Sequence, residues 1–244
     1  MSLTFEVAAI TDIGCKRQNN EDSFGYDKSL RVYVVCDGMG GVAGGEIASQ
    51  TAVRKMIEAF GEAMSAEDTQ PVEELLYHAI LRANEEVRAL SLSQLELQGM
   101  GTTLVAACLD GERVVIGNVG DSRAYFMRDG ECVQVTQDHS FLSEQLQSGA
   151  ITPEMAAASP LQSVITRAIG IEDSVHPDLF AAELEPGDRI LLTTDGLTRY
   201  VDATEIAHLT ETQPGLNQAC QALVDAAKAR GAADNVTCLL LQAS

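Results

Sequence analysis

Histidine is scarce, cationic side chains are outnumbered, and no apolar run is long. The 244 residues include four His, and 16 Lys and Arg stand against 36 Asp and Glu, for a formal net charge of −20. So few cations cannot neutralise a nucleic-acid backbone or an anionic lipid surface, and neither is expected as a partner. No apolar stretch approaches the roughly 20 residues that a membrane span needs. Met1-Ser2-Leu3-Thr4-Phe5-Glu6 lacks the basic and apolar regions of a secretory signal, so none is expected. The six cysteines (Cys15, Cys36, Cys108, Cys132, Cys220 and Cys238) form no C-x-x-C pair. Cys36, Cys108 and Cys238 lie in β-branched apolar runs, where a free thiol behaves as a small hydrophobe. The expectation is reduced cysteine in a cytoplasm, with neither disulfides nor a zinc site. Internal repeats, low-complexity tracts and linkers are absent, which favours one domain spanning 1–244.

What remains is ordinary for a soluble protein: 45% apolar residues and a mean hydropathy of +0.02, in a chain long enough to bury a full core. Residues 5–10 read as a buried opening strand, because their alternation is poor. A polar loop over 11–22 leads to a strand at 32–36. Helices are expected at 45–60 and at 72–90, where Val72, Leu75, Leu76, Ala79, Ile80, Ala83 and Val87 step by three and four. Runs at 103–109 and 113–118 flank Asp110-Gly111, and runs at 124–127 and 132–136 flank Asp129-Gly130, which predicts two hairpins. Residues 138–170 lose the strand pattern, and their short helical pieces with Pro153 and Pro160 suggest a surface excursion. Strands follow at 189–194 and 236–241, with a helix around 219–227 stopped by Gly231. Helices come in runs and strands in hairpins, which favours an α+β fold with antiparallel sheets packed under helices.

The chain is organised around 32–46. An apolar run stops at Asp37, five of the next eight residues are glycine, and a helical pattern begins near Glu46. Asp37 has counterparts. Asp195 ends an apolar strand and precedes a glycine, Asp121 follows another strand, Asp234-Asn235 precedes the last strand, and Glu21-Asp22 closes the first loop. Taken singly, turn chemistry is the plainer reading of each acid, and it suffices for Asp110 and Asp129. Taken together, carboxylates meeting at the ends of buried strands repel one another unless cations lie between them. Hard oxygen ligands without a histidine partner suit Mg²⁺ or Mn²⁺ rather than zinc. Two such ions about 4 Å apart can activate a water and stabilise both ends of a displacement at phosphorus. Gly38 would leave its carbonyl open to a metal, and Arg17 near Glu21 and Asp22 would offer a bidentate phosphate clamp.

The glycines permit a rival reading. Gly38-x-Gly40-x-x-Ala43 matches a dinucleotide-binding fingerprint. Asp37 beside a pyrophosphate argues against it, as does the missing second parallel strand after the first helix. A P-loop fails because Glu46-Ile47 follows Gly45 where Lys and Ser or Thr are required.

Arg17-x-x-Asn20-Glu21-Asp22, Asp37-Gly38-Met39-Gly40-Gly41, Gly101-Thr102-Thr103, Gly120-Asp121-Ser122-Arg123, Thr194-Asp195-Gly196-Leu197 and Asp234-Asn235-Val236 occur in this order. Together they resemble the metal-dependent PPM (PP2C-type) Ser/Thr protein phosphatases, in their compact bacterial branch. The resemblance implies a four-layer α-β-β-α sandwich of two antiparallel sheets flanked by helices, with a flap subdomain at 138–170. It implies Mn²⁺ or Mg²⁺, two per active site and a third, weaker ion. Asp37 would bridge the pair and the Gly38 carbonyl would bind one ion. Asp195 and Asp234 would complete the set of ligands to the first ion, and Glu21 or Asp22 would act on the second ion through water. Asp121 with Asp195 would form the third site, and Arg17 would hold the substrate phosphate. The implied reaction is hydrolysis of phosphoserine or phosphothreonine by direct attack of a metal-bridging hydroxide, opposing a bacterial Ser/Thr kinase.

One position departs from many members of that family: Met39 stands where they carry a histidine proposed as general acid. A thioether cannot donate a proton. His139 is the candidate substitute, although a structural bond anchoring the flap is the preferred reading, and His78 and His208 are expected on helix surfaces. Two further readings stay open, a non-catalytic binding module of the same fold and a hydrolase of small phosphate esters. The sequence names no oligomeric state, and a monomer is the expectation.

Overall fold

Alternation along two strands explains the layering. In the strand holding Asp37, Val32, Val34 and Cys36 pack against helices, while Tyr33 and Val35 pack against a second sheet. The last strand does the same in mirror image, with Cys238 and Leu240 toward helices and Leu239 and Leu241 toward the first sheet. Such double-sided burial needs two sheets face to face with helices outside each.

The computed structural model describes residues 3–40, 44–66 and 70–244, so Gly41 and Ala43 of the glycine motif lie outside the described residues. The strands are β1 (Phe5–Asp12), β2 (Asp22–Asp27), β3 (Val32–Met39), β4 (Gly101–Thr102), β5 (Leu104–Asp110), β6 (Arg113–Val119), β7 (Arg123–Arg128), β8 (Glu131–Gln134), β9 (Asp178–Glu183), β10 (Arg189–Thr193) and β11 (Val236–Ala243). The helices are α1 (Gly44–Met64), α2 (Val72–Ser93), α3 (Phe141–Gln147), α4 (Pro153–Ala157), α5 (Asp195–Thr198), α6 (Ala203–Thr212) and α7 (Leu216–Ala229). One sheet runs β1-β11-β10-β7-β8, and the other runs β2-β3-β5-β6-β9 with β4 added to β3. Every pairing is antiparallel. Helices α1 and α2 cover the sheet that holds β3 through Met56, Phe60, Leu76 and Ile80, and α7 covers the sheet that holds β11 through Cys220, Leu223 and Val224. Ile190 and Leu192 of β10 meet Val105, Ala107 and Ile116 between the sheets. This is the expected α-β-β-α sandwich.

Several local expectations change. β1 is half-buried rather than buried, with Ala8 its one buried residue, because it lies at the edge of its sheet. β2 occupies part of what reads as polar lead-in. Its Asp-Ser-Phe-Gly-Tyr-Asp sequence has weak alternation, and its place at a sheet edge relaxes the demand for apolar residues. β9 and α6 also go unannounced, and the second hairpin closes at Gln134 rather than 136. Asp129 and Gly130 both take positive φ, 51° and 79°, as a tight hairpin turn requires. The irregular 138–170 stretch carries α3 and α4, capped by Ser140 and Thr152, whose hydroxyls accept the backbone N–H groups of Ser143 and Met155.

Candidate metal centre and active site

The register of β2 on β3 places Asp22 directly opposite Asp37. Opposed residues of an antiparallel pair share a face. Asp37 follows Tyr33 and Val35 along the inward face of β3, so both carboxylates sit at the open end of the space between the sheets. Three contacts fix the backbone there: the Thr103 N–H and the Thr102 hydroxyl donate to the Asp37 carbonyl at 2.9 and 2.8 Å, and the Asp37 N–H donates to Thr103 Oγ1 at 2.9 Å.

The other sheet delivers its acids to the same end. Asp195 is the first residue of α5, immediately beyond β10, and Asp234 precedes β11. Asp121 follows β6 across Gly120, whose φ of +105° turns the chain where a side chain would be strained. Arg17, Glu21, Asp37, Gly38, Asp121, Asp195 and Asp234 line one cavity of 390 Å³. Asp22 lies behind this lining. It is 6% exposed, and the hydroxyls of Thr237 and Thr194 donate to its Oδ2 at 2.7 and 2.8 Å. Of the adjacent pair Glu21 and Asp22, the side chain at the cavity wall is therefore Glu21.

The electrostatics are those of crowded anions. Burial pushes the Asp22 carboxyl up to about 7; the two threonine hydroxyls oppose the rise, and the charges of Asp195 and Asp234 add to it. Asp121 is likewise raised to about 7, by burial and then by Asp195 and Asp138. Asp37 is held well above the usual carboxylate range by burial and by Asp22, Asp195, Asp121 and Asp234. Burial also raises Asp195, against the pull of Arg199.

Two arginines answer this charge. Arg17 Nη2 lies 2.8 Å from Asp234 Oδ2, with Nη1 4.0 Å from Glu21 Oε2. Arg199 binds Asp195 Oδ2 through Nε at 2.9 Å and through Nη2, and its Nη2 also donates to Ser163 Oγ at 3.0 Å. Oδ1 of Asp22 and Oδ1 of Asp195 are buried without a hydrogen-bond partner. An orphaned carboxylate oxygen beside like charges is a place for a cation. Among the described residues no group of three His, Cys, Asp or Glu side chains already stands as a coordination sphere. Asp22 is instead turned onto two threonines, and Asp195 and Asp234 are turned onto arginines.

The glycine after Asp37 also has a packing reason. A Cβ on Gly38 would stand 2.0 Å from the Gly45 carbonyl oxygen, and one on Gly45 would stand 2.7 Å from the Glu21 carboxyl carbon. These glycines let the start of α1 press against the end of β3 and against Glu21.

Arg199, Thr194, Thr237 and Asn235 emerge from the structure as supporting residues. Asn235 accepts the Glu21 N–H at 2.8 Å and donates to the carbonyls of Asn19 and Ile13 at 3.0 and 3.1 Å, tying the first loop to β11. Thr194 and Asn235 stand inside motifs noted in the sequence, yet only folding shows what they touch. The i,i+4 spacing of Asp195 and Arg199 was a usable signal, given a helix there.

His139 is 4% exposed and anchors the excursion. Its Nδ1 accepts the Gly120 N–H at 3.1 Å, which places the proton of the neutral ring on Nε2, 3.2 Å from Asp178 Oδ2. Burial holds the imidazole pKa below its usual value, against the hydrogen bond to Asp178. His78 and His208 are exposed on α2 and α6.

This geometry has known counterparts. The family model described as Protein phosphatase 2C matches residues 15–240. The chain belongs to the protein phosphatase 2C family. It is 37% identical over 235 residues to the serine/threonine phosphatase stp of Listeria monocytogenes, covering 95% of this chain and 93% of that protein. The crystal structure of the serine/threonine phosphatase PstP/Ppp of Mycobacterium tuberculosis superposes with a TM-score of 0.87 at 36% identity, covering 99% of both chains. A PstP catalytic domain in complex with two manganese ions gives a TM-score of 0.86 at 35% identity, again over 99% of both. A protein phosphatase 2C member thus carries the motifs, the sandwich and the acid cluster together.

Proposed function

We propose that this chain is a metal-dependent protein phosphatase that hydrolyses phosphoserine and phosphothreonine in protein substrates. The observation that carries the reading is one 390 Å³ cavity walled by Asp37, Glu21, Asp121, Asp195 and Asp234, with Arg17 at its side. The donors fit Mn²⁺ or Mg²⁺, being all oxygen, with two buried carboxylate oxygens lacking partners and no histidine or cysteine among the lining residues.

Asp37, the Gly38 carbonyl, Asp195 and Asp234 would hold two ions, with Glu21 and the deeper Asp22 serving the second and Asp121 with Asp195 a third. Once bound, such ions supply Lewis acidity, activating the attacking water and neutralising phosphoryl charge. Arg17 then exchanges Asp234 for the substrate phosphate, which its guanidinium can grip through two parallel N–H donors. Thr194 and Thr237 hold Asp22 in place, and the Thr102 and Thr103 contacts keep the tip of β3 from shifting. Met39 stands at the cavity wall without a proton to give, and no imidazole lines the cavity among the described residues. The leaving serine or threonine oxygen takes its proton from water.

One catalytic domain over 1–244, with 138–170 as the flap beside the cleft, accounts for the arrangement. A cognate Ser/Thr kinase would supply the phosphoproteins, and a reducing cytoplasm suits the free thiols. No helix among the described residues is long and apolar enough to cross a membrane. The deciding assay measures phosphate release from phosphothreonine peptides with and without Mn²⁺, beside Asp37→Asn. Metal-dependent release by the parent protein, lost in the variant, is the expected result. Metal binding with no turnover on any peptide would point to a binding module instead.

A further inference from the structure

A second cavity, of 500 Å³, adjoins the active site, and the two share Met39 and Ile165 as walls. Beyond these two side chains it is floored by Ala168, Ile171 and Val175. Polar side chains of Thr166, Arg167, Glu172, Ser174 and His176 complete its rim. Thr166 Oγ1 is engaged with Glu144 at 2.7 Å, and Arg167 Nη1 donates to Asp178 Oδ1 at 2.9 Å and to the His176 carbonyl at 3.2 Å. Inside that polar rim the groove offers a ligand an apolar wall that runs from Met39 and Ile165 to Ile171 and Val175. Ile171, at 42% exposure, leaves a large aliphatic group in solvent at its wall.

The floor is also held firmly. Asn84 of α2 accepts the Gly170 N–H at 2.8 Å and donates to the Glu172 carbonyl at 3.1 Å. Arg88 of the same helix donates to the Ile171 carbonyl at 2.6 Å and pairs with Asp173. Ile169 and Thr102 exchange backbone hydrogen bonds at 2.8 and 3.1 Å, so the stretch is fastened next to the contact that fixes Asp37. A rigid apolar groove opening into a phosphate site binds without a large ordering cost.

We infer that this groove is a specificity subsite for the apolar side chain of a substrate residue next to the phosphoserine or phosphothreonine. The inference rests on the phosphatase reading and names the substrate class for it. The occupant follows from continuity, since a ligand whose phosphate lies against Arg17 and Asp37 has to pass Met39 and Ile165 to reach the groove. An extended peptide rises roughly 3.3 Å per residue, so a flanking side chain makes that step and a small ester does not. Met39 thereby gains a role: where a general-acid imidazole is absent, a flexible thioether forms the apolar partition between phosphate site and groove.

The test compares three phosphothreonine peptides, with leucine, glycine or aspartate on both sides of the phosphoresidue, and p-nitrophenyl phosphate as a substrate too short to enter the groove. Each is assayed in Mn²⁺ with the parent protein and with Ile171→Ser and Ile171→Asp. The parent is expected to favour the leucine peptide over the glycine peptide by about tenfold or more in kcat/KM, the effect of one well-filled apolar pocket. Most of the difference should lie in KM, because the contact is made equally in ground and transition states. Both variants should lose the preference while hydrolysing p-nitrophenyl phosphate at the parent rate. Equal kcat/KM for the leucine and glycine peptides in the parent, or a preference that survives both substitutions, would overturn the inference. Loss of all turnover, on ester and peptides alike in the parent, would instead bring down the phosphatase reading beneath it.

Discussion

Arg17 Nη2 stands 2.8 Å from Asp234 Oδ2, so a side chain proposed to grip phosphate and one proposed to hold a metal ion neutralise each other. The pair is partly exposed, with side-chain accessibilities of 48% and 26%, and such pairs contribute little to stability. Arg17→Ala should therefore leave thermal stability nearly unchanged and lower kcat/KM on phosphopeptides by about 10- to 100-fold, as expected for a lost charge-assisted bond to phosphate. Mn²⁺ affinity, read by calorimetry, should hold or rise because Asp234 is released. A fall in Mn²⁺ affinity would mean that Arg17 organises the ion site rather than the phosphate.

Asp37→Asn keeps the shape of the residue and removes its charge. With the tip of β3 fixed through backbone contacts to Thr102 and Thr103, the variant should fold. It should lose on the order of a thousandfold in turnover, because charge stabilisation in the site goes with it. A chelator should do the same to the parent protein, and added Mn²⁺ should restore the parent alone.

The burial of Asp22 near Asp195 and Asp234 predicts a pH dependence in the metal-free protein. Asp22 is raised from an ordinary 3.8 to about 7, so between those values the folded state binds more protons than the unfolded chain. Stability contributed by this group is present below about pH 4 and is lost as pH rises through about 7. Urea unfolding of the chelated protein from pH 4 to 8, compared with Asp22→Asn, should show the parent losing a few kcal/mol more than the variant across that range, on the order set by about 1.4 kcal/mol per unit of pKa. Saturating Mn²⁺ should abolish the difference. Parallel curves for parent and variant would argue that Asp22 carries no buried charge.

His139 is bonded as an anchor and does not line the acidic cavity, so it is not expected to serve as the proton donor. His139→Ala leaves the buried Gly120 N–H without its acceptor and should cost about 1–3 kcal/mol in unfolding free energy. The pH profile of kcat should keep its shape. Disappearance of the alkaline limb of that profile in the variant would make His139 the acid after all.

Gly38→Ala tests the packing reason for the glycine. Its Cβ would meet the Gly45 carbonyl oxygen, a backbone atom, at 2.0 Å. A loss of about 3 kcal/mol or more in stability is expected, with activity falling alongside. A variant that is fully stable yet inactive would return the glycine to the metal.

Much of this was legible in the residues. The helix at 72–93 shows in its spacing, the hairpins show in Asp110-Gly111 and Asp129-Gly130, and the strand-end acids Asp37, Asp121, Asp195 and Asp234 show in where apolar runs stop. Each of these signals is local, set by periodicity and turn chemistry within a few residues. β2 goes unannounced because a sheet edge tolerates a sequence without clear alternation, and the same poor alternation makes the half-buried β1 read as buried.

The sequence by itself determined which chemistry the chain carries: oxygen donors at strand ends, one arginine near them, and a thioether where a proton donor could stand. Only the tertiary structure decided how those groups are deployed. It set Asp22 against Asp37 and behind the cavity wall, gave Asp234 to Arg17 across 217 residues of chain, and brought Thr194 and Thr237 to Asp22 across 172 and 215. It also opened the apolar groove beyond Met39. These relations depend on how strands register and how two sheets close on each other, and such closure joins residues far apart along the chain, where no local pattern can reach.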